Sequence, residues 1–347
     1  MGLTIGIDVG GTKIAAGVVG TDGTIGARAH RDTPATSVDE TARAICDAAA
    51  ELIAQYEVEA VGIGAAGFVS SDRSTVLFAP NLAWRDEPLG RRVADVLQVP
   101  VVVENDANAA AWGEFAFGAA KDVEHMVCVT VGTGIGGGVV IDGELLRGAH
   151  GVAAELGHMR VVPGGHRCGC GARGCLEQYA SGSALVREGR AQAESGSLAA
   201  AQMLSVCGIT DPAELTGPMI TQAASAGDPC AVELLDDLGR WLGEGLASFA
   251  TLFDPSTIVI GGGVSAAKEL LVKSAQVAFE KNLPARANRP HPRFGLAQLG
   301  NDAGIIGAAD LARRPAPAQA DVAPPAAPAP AETAPSQAPG AAAEQPR

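Results

Sequence analysis

The chain has 347 residues, of which 47% are hydrophobic and 45 are glycine, a balance that suits two α/β domains with sizeable cores and excludes a disordered chain. Its net charge of −14 argues against nucleic acid as a partner, because phosphate backbones select patches of Lys and Arg. An acidic protein can still bind a nucleotide, using backbone amides and one or two cations.

The opening MGLTIGIDVGG has neither a basic n-region nor an apolar core of signal-peptide length. No stretch approaches ~18 uninterrupted apolar residues, so no membrane span is expected and a cytoplasmic location follows. Residues 3–9 read as a buried strand and 14–20 as its partner, joined by Gly10-Gly11-Thr12-Lys13. Two glycines let backbone N–H groups approach an anion closely, and Asp8 at the strand end can hold magnesium, usually through water. An ordinary hairpin turn is the alternative reading of this stretch. Residues 24–30 resemble a third strand of a meander. Residues 37–55 have helical spacing, with Ser37 as N-cap and Glu40 completing a capping box. A strand at 60–65 ends in Ala66-Gly67-Phe68, and ligands of open α/β sheets gather at such ends. Asn81 either reaches the same crevice or makes an Asx-turn.

A helix at about 88–97 precedes a strand at 99–103, which runs into Glu104-Asn105-Asp106-Ala107-Asn108-Ala109 and a helix to about 117. At this strand-to-helix junction either Asn105 or Asp106 merely caps the helix, or Asp106 is a general base that takes a proton from a hydroxyl attacking phosphorus; we favour the base. In HMVCVTVGTGIGGGVVI, residues 125–141, two strands flank the turn Gly132-Thr133-Gly134-Ile135-Gly136-Gly137-Gly138. Two copies of strand, Gly/Thr turn and strand suggest a duplicated fold with phosphates held between the halves.

Residues 155–177 read ELGHMRVVPGGHRCGCGARGCLE. Cys168, Cys170 and Cys175, with His158 upstream, form the ligand set of a closed tetrahedral zinc site, and Gly169, Gly171 and Gly174 let the backbone turn so that three sulfurs converge. Seven cysteines in the whole chain argue against a disulfide framework. The metal reads as structural, holding the flanking Glu155 and Glu177 in place to bind something. Beyond it, 181–193 looks helical, 195–230 should form short helices, and 230–253 has helical periodicity. Cys46, Cys128, Cys207 and Cys230 read as packing residues. A strand at 257–260 leads into Gly261-Gly262-Gly263, which either admits a flat ring or phosphate or is a tight turn, and then a helix from about Ser265. A strand at 294–299 and a helix at 303–313 follow. From Pro315 onward the Pro/Ala-rich sequence lacks periodicity and is expected to be disordered.

GIDVGGTK, ENDANA, and ELGH followed by CGCGARGCLE together resemble the ROK family of sugar kinases and repressors, most closely its actinobacterial glucokinase branch, over residues 3–313. The resemblance implies the α/β actin-like, ribonuclease H-like fold, two domains closing over a cleft. The small domain is 1–117 completed by 301–314; the large domain is 118–300, with the zinc loop and an oligomer interface; 315–347 is the tail. The implied activity is ATP-dependent phosphorylation of glucose at its 6-hydroxyl, with magnesium. Asp106 is then the base. Asn105, Glu155, His158 and Glu177 bond ring hydroxyls, with the Gly67 backbone nearby, and His158 serves both zinc and sugar. Gly10, Gly11, Thr12, Lys13, Gly132, Thr133 and Gly134 lie near phosphates, Asp8 supports the metal, and Gly261, Gly262 and Gly263 lie near the adenosine. A homodimer or homotetramer is implied. Related kinases act on N-acetylmannosamine, N-acetylglucosamine, allose or fructose, and polyphosphate-using relatives typically lack the cysteine cluster, so its presence favours ATP. Family repressors carry a winged helix-turn-helix before the first strand, whereas here that strand is expected at residue 3.

Overall fold

A computed structural model describes residues 2–263 and 268–314. The expected helix start at Ser265 and the Pro/Ala-rich stretch from Pro315 lie outside the described residues. The described chain builds two five-stranded sheets on one plan, and a three-stranded one beside the first. In the first sheet, β1 (Leu3–Val9), β2 (Lys13–Val19) and β3 (Ile25–Asp32) make an antiparallel meander. Helix α1 (Val38–Ile53) returns the chain to β4 (Val58–Ala65), which pairs parallel with β1. The last six residues of β4 are buried, as a central parallel strand requires, whereas the edge strand β3 alternates. Ser37 caps α1 by accepting from Glu40 N at 3.3 Å. Ser37 N instead donates to Pro34 O at 2.9 Å, so the expected capping box is only half built.

β5 (Phe68–Val69), β6 (Val76–Phe78) and β7 (Arg85–Glu87) form the small sheet, which sequence periodicity did not reveal. Helix α2 (Leu89–Leu97) leads to β8 (Val101–Asn105), which pairs parallel with β4. The strand expected at 99–103 is therefore displaced by two residues. Pairing of Gly64 with Glu104 and Ala65 with Asn105 draws two polar residues into the strand. Helix α3 (Asp106–Ala116) follows at once.

The second sheet repeats the arrangement. β9 (Met126–Val131), β10 (Ile135–Ile141) and β11 (Glu144–Leu145) are antiparallel; β12 (Thr257–Gly261) joins β9 in parallel and β13 (Arg293–Leu296) joins β12. Only residues 132–134 form the turn after β9. Gly136, Gly137 and Gly138, expected in that turn, belong to β10. A Cβ at Gly136 or Gly138 would press on Ala107 or Ala111 of α3, so these glycines let α3 lie against the second sheet. Between β11 and β12 run a 3₁₀ turn (Leu156–His158) and helices α4 (Glu177–Ala180), α5 (Gly182–Glu194), α6 (Leu198–Val206), α7 (Gly217–Ser225) and α8 (Pro229–Phe253). α8 starts on an Asp228 cap with proline in the first turn, and buries Leu235, Leu242, Leu246 and Phe249 in the larger core.

After α9 (Lys268–Asn282), the last helix α10 (Ala303–Ala312) returns to the first sheet. Added Cβ atoms at Gly6 of β1 or Gly62 of β4 would strike the α10 backbone, and Thr4 Oγ1 donates to Ala309 O at 3.1 Å. Cys46, Cys128 and Cys230 are buried and Cys207 is partly so, in keeping with packing roles. No helix among the described residues is long and apolar enough to cross a membrane.

Candidate active-site cleft

A cavity of about 660 Å³ opens at the carboxyl ends of the parallel strands of both sheets. Its lining includes Asp8, Gly67, Asn105, Asp106, Glu155, His158 and Glu177, residues far apart in sequence. Asp8 stands at the end of β1, and Asn105 and Asp106 at the junction of β8 and α3. The helix cap is Asn105, not Asp106: Asn105 Oδ1 accepts from Asn108 N at 2.9 Å, and Asn105 Nδ2 donates to Gly67 O at 3.0 Å. Asp106 is left to face the cavity, with Oδ1 accepting from Ala107 N at 2.9 Å. Gly67, with φ of 152°, sits where an added Cβ would collide with Phe78 O, so only glycine brings its carbonyl to Asn105.

Three carboxyl groups in this cleft resist ionisation. Burial lifts Asp8 to about 6, helped by the charge of Asp106. Burial also raises Asp106, against the opposing hydrogen bond from Ala107. Glu155 rises to about 7 through burial and repulsion from Asp106 and Glu177. A cleft that crowds acids in this way favours ligands rich in hydroxyl donors, or a cation.

Glu155 follows Ala154, which holds a left-handed φ of 64°, a sparsely populated conformation for a residue with a Cβ. His158 ends the 3₁₀ turn, and Glu177 opens α4, its Oε2 accepting from Ile135 N at 3.2 Å. Between them lies the cysteine loop. The ligand atoms of His158, Cys168, Cys170 and Cys175 all fall within 4.8 Å of one another. A tetrahedral ion with sulfur at about 2.3 Å and nitrogen at about 2.0 Å sets S–S separations near 3.8 Å and S–N separations near 3.6 Å, roughly. Cys170 Sγ and Cys175 Sγ are 3.7 Å apart, and Cys168 Sγ lies 3.6 Å from His158 Nδ1, so the four donors fit an ion of zinc's size. With Nδ1 facing the sulfurs, Nε2 is the ring nitrogen left for the cleft. Gly171 and Gly174 take φ of 90° and 78°, as the convergence of sulfurs demands. Gly169, expected to share that duty, does not take a left-handed φ; it is the second residue of the turn that Gly171 N closes on Cys168 O, a position that ordinarily has negative φ.

Of the residues expected near nucleotide, Asp8, Gly132, Gly134 and Gly262 line the cavity. Gly10, Gly11 and Thr12 form the β1–β2 turn and Lys13 opens β2, all off its lining, with Gly10 N donating to Lys13 O at 3.0 Å. Thr133, Gly261 and Gly263 also lie off the lining. Asn81, for which two readings stood open, lines it. Sequence reasoning missed Phe68, Phe78, Thr130, Asn301 and Gly304 on the lining, and it missed Arg73 and Arg147, which pair with Glu104 behind the site. An arginine 43 positions from its carboxylate leaves no local signal.

A model of the ROK family matches residues 4–315. The glucokinase of Streptomyces coelicolor is 49% identical over 91% of this chain and 99% of its own length. The crystal structure of a ROK family glucokinase from Streptomyces griseus, in complex with glucose and AMPPNP, is 51% identical over 90% of this chain and 99% of that one, with a TM-score of 0.81. The ROK hexokinase of Thermus thermophilus is 37% identical over 90% and 98% respectively, with a TM-score of 0.75.

Proposed function

The chain belongs to the ROK family, and from that premise we propose that it is an ATP-dependent glucokinase with the actin-like sugar-kinase fold. The observation that carries the reading is the position of Asp106, freed from capping by Asn105 and facing a cavity that also holds Asn105, Glu155, His158 and Glu177.

In this reading the sugar's 6-hydroxyl lies against Asp106. The carboxylate accepts its proton as the oxygen attacks the γ-phosphorus of ATP and the bond to the ADP oxygen breaks. Glu155, Glu177, His158 and Asn105 accept from or donate to the ring hydroxyls, and the remaining hydrogen of the Asn105 amide is available because the other is spent on Gly67 O. Such a site rejects analogues lacking a hydroxyl, because a buried partner is then unpaired. Burial that lifts Asp106 above the ordinary carboxylate range strengthens it as a base. Asp8 accompanies the magnesium of MgATP, a role suited to an acid that burial has made hard to ionise alone. The turns at Gly10–Lys13 and Gly132–Gly134 lie toward the phosphates and Gly261–Gly263 toward the adenosine; the hairpin turn reaches them on closure of the cleft between the small and large domains.

His158, Cys168, Cys170 and Cys175 hold zinc, which serves as a fastening for Glu177 and the imidazole and takes no part in phosphoryl transfer. We further assign the enzyme to the cytoplasm, where ATP is made and thiols stay reduced, and to a homodimer or homotetramer. The test is ADP release across a hexose panel (glucose, mannose, fructose, allose, N-acetylglucosamine and N-acetylmannosamine), with ATP and polyphosphate as donors and zinc measured on the same sample. Glucose with ATP should give the highest kcat/KM. Turnover confined to an N-acetylhexosamine, or to polyphosphate, would refute the assignment.

A further inference from the structure

Glu104 immediately precedes the Asn105–Asp106 turn and is almost wholly buried. A buried carboxylate needs partners, and Glu104 has four. Oε1 accepts from Asn105 N at 3.1 Å and from Asn108 Nδ2 at 3.2 Å, which fixes the first turn of α3. Oε2 accepts from Arg147 Nε at 2.7 Å, with Arg73 Nε at 3.8 Å.

The bond to Arg147 spans the two halves of the molecule. Arg147 follows β11 of the second sheet, whereas Glu104 is the last residue but one of β8 in the first. The Arg147 carbonyl accepts from Ala153 N at 3.0 Å, two residues before Glu155. The intervening Gly151 lies against the Val69 carbonyl of β5, with no room for a Cβ. Glu104 therefore ties the turn that presents Asp106 to the segment that presents Glu155. Arg73 is fixed separately, its Nη2 donating to Leu311 O at 2.9 Å, and its Nε is buried without a hydrogen bond. It stands as a second counter-charge that keeps Glu104 paired if Arg147 withdraws.

We propose that Glu104 and Arg147 are positioning residues whose ion pair sets the spacing of Asp106 and Glu155 across the cleft. This rests on the kinase reading above. Neither residue touches substrate; each acts through the backbone segment it holds. The test compares the wild type with Arg147→Gln, Arg147→Lys and Glu104→Gln, measuring kcat, KM for glucose and for ATP separately, and thermal unfolding. Because Arg73 still neutralises Glu104, Arg147→Gln should fold. Its kcat should fall by about 10- to 100-fold, the size expected when a reacting group shifts by roughly 1 Å. KM for glucose should rise while KM for ATP stays put, and Arg147→Lys should recover part of the loss by restoring the charge and one donor. If Glu104→Gln proves unstable, the Arg147 pair decides alone. A normal wild type beside an Arg147→Gln enzyme with kcat within about twofold of it overturns this proposal alone. So does a loss that Lys does not relieve and that strikes both substrates equally. A wild type inactive on every hexose would instead overturn the kinase reading, and this proposal with it.

Discussion

Replacing Asp106 by Asn separates catalysis from stability with opposite signs. Asp106 does not cap α3, so the substitution leaves the Asn105 cap and its bond to Asn108 N intact. It does remove a carboxylate that burial makes hard to ionise and whose charge also raises Asp8 and Glu155. A group whose folded pKa lies above its unfolded value of 3.8 gives stability that is full below that value and is lost as pH rises through the folded pKa. At pH 8 the ionised Asp106 is therefore a cost, and the neutral amide should melt at the same or a higher temperature. Catalysis should collapse. Loss of a positioned general base lowers kcat by about 10²- to 10⁴-fold, or about 3–5 kcal/mol of barrier. Coupled ADP release with saturating glucose and MgATP reads the first effect, and a melting curve at pH 8 in the absence of substrates reads the second. A folded Asp106→Asn enzyme with kcat within about tenfold of wild type would refute the role of base. A clear fall in melting temperature would refute the electrostatic argument.

Substitution of Cys175 by Ser should strip zinc from the purified protein, measured by atomic emission, and raise KM for glucose by about 10-fold or more. An active, metal-free variant would show that the knot is dispensable. The acid limb of kcat/KM for glucose should lie well above the ordinary carboxylate range, since Asp8 and Glu155 take protons at about 6 and about 7 and Asp106 is raised as well. A pH–rate profile that stays flat down to pH 5 would contradict it. Asp8→Asn should raise KM for MgATP while leaving glucose affinity, measured by calorimetry without nucleotide, little changed.

The parts of this fold that could be read from the chain are those whose signal is local. The meander, the helix from Val38 and the long helix to Phe253 each declare themselves through burial period and caps. Polar residues misled where pairing overrode composition: Glu104 and Asn105 belong to β8 because β4 continues alongside them. The run from Gly132 to Gly138 looks like one loop, yet from Ile135 onward it is strand, and Gly136 and Gly138 are small where α3 approaches. In the site, the clustering of His158 with Cys168, Cys170 and Cys175 was legible because all four lie within one short stretch of chain. The structure gives the cap of α3 to Asn105, which removes capping as the role of Asp106. The ion pairs of Glu104 were illegible, since Arg73 and Arg147 come from other elements and meet it only after the sheets are assembled.

On the zinc reading proposed above, the placement of the cysteine loop accounts for a metal that does no chemistry. Between Arg160 and Leu176 only Cys168, Gly174, Cys175 and Leu176 are buried, too little apolar surface to offset the entropy of ordering the loop. The backbone helps, with Val161 N donating to Gly174 O and Leu176 N to Met159 O, each at 2.8 Å. Those bonds lie at the base of the loop and leave the sulfur-bearing turn exposed at Cys170. Four ligands on one ion would close that turn onto His158 directly. What is fastened extends past the sugar side. Glu177 holds Ile135 N, and five residues further on Gly182 N donates to Gly132 O at 2.8 Å. The same staple thus steadies the turn at Gly132, on the side assigned to the phosphates. Zinc removal should for this reason raise KM for ATP as well as for glucose. A purely local sugar-side effect would mean that α4 and the start of α5 hold the Gly132 turn without the knot.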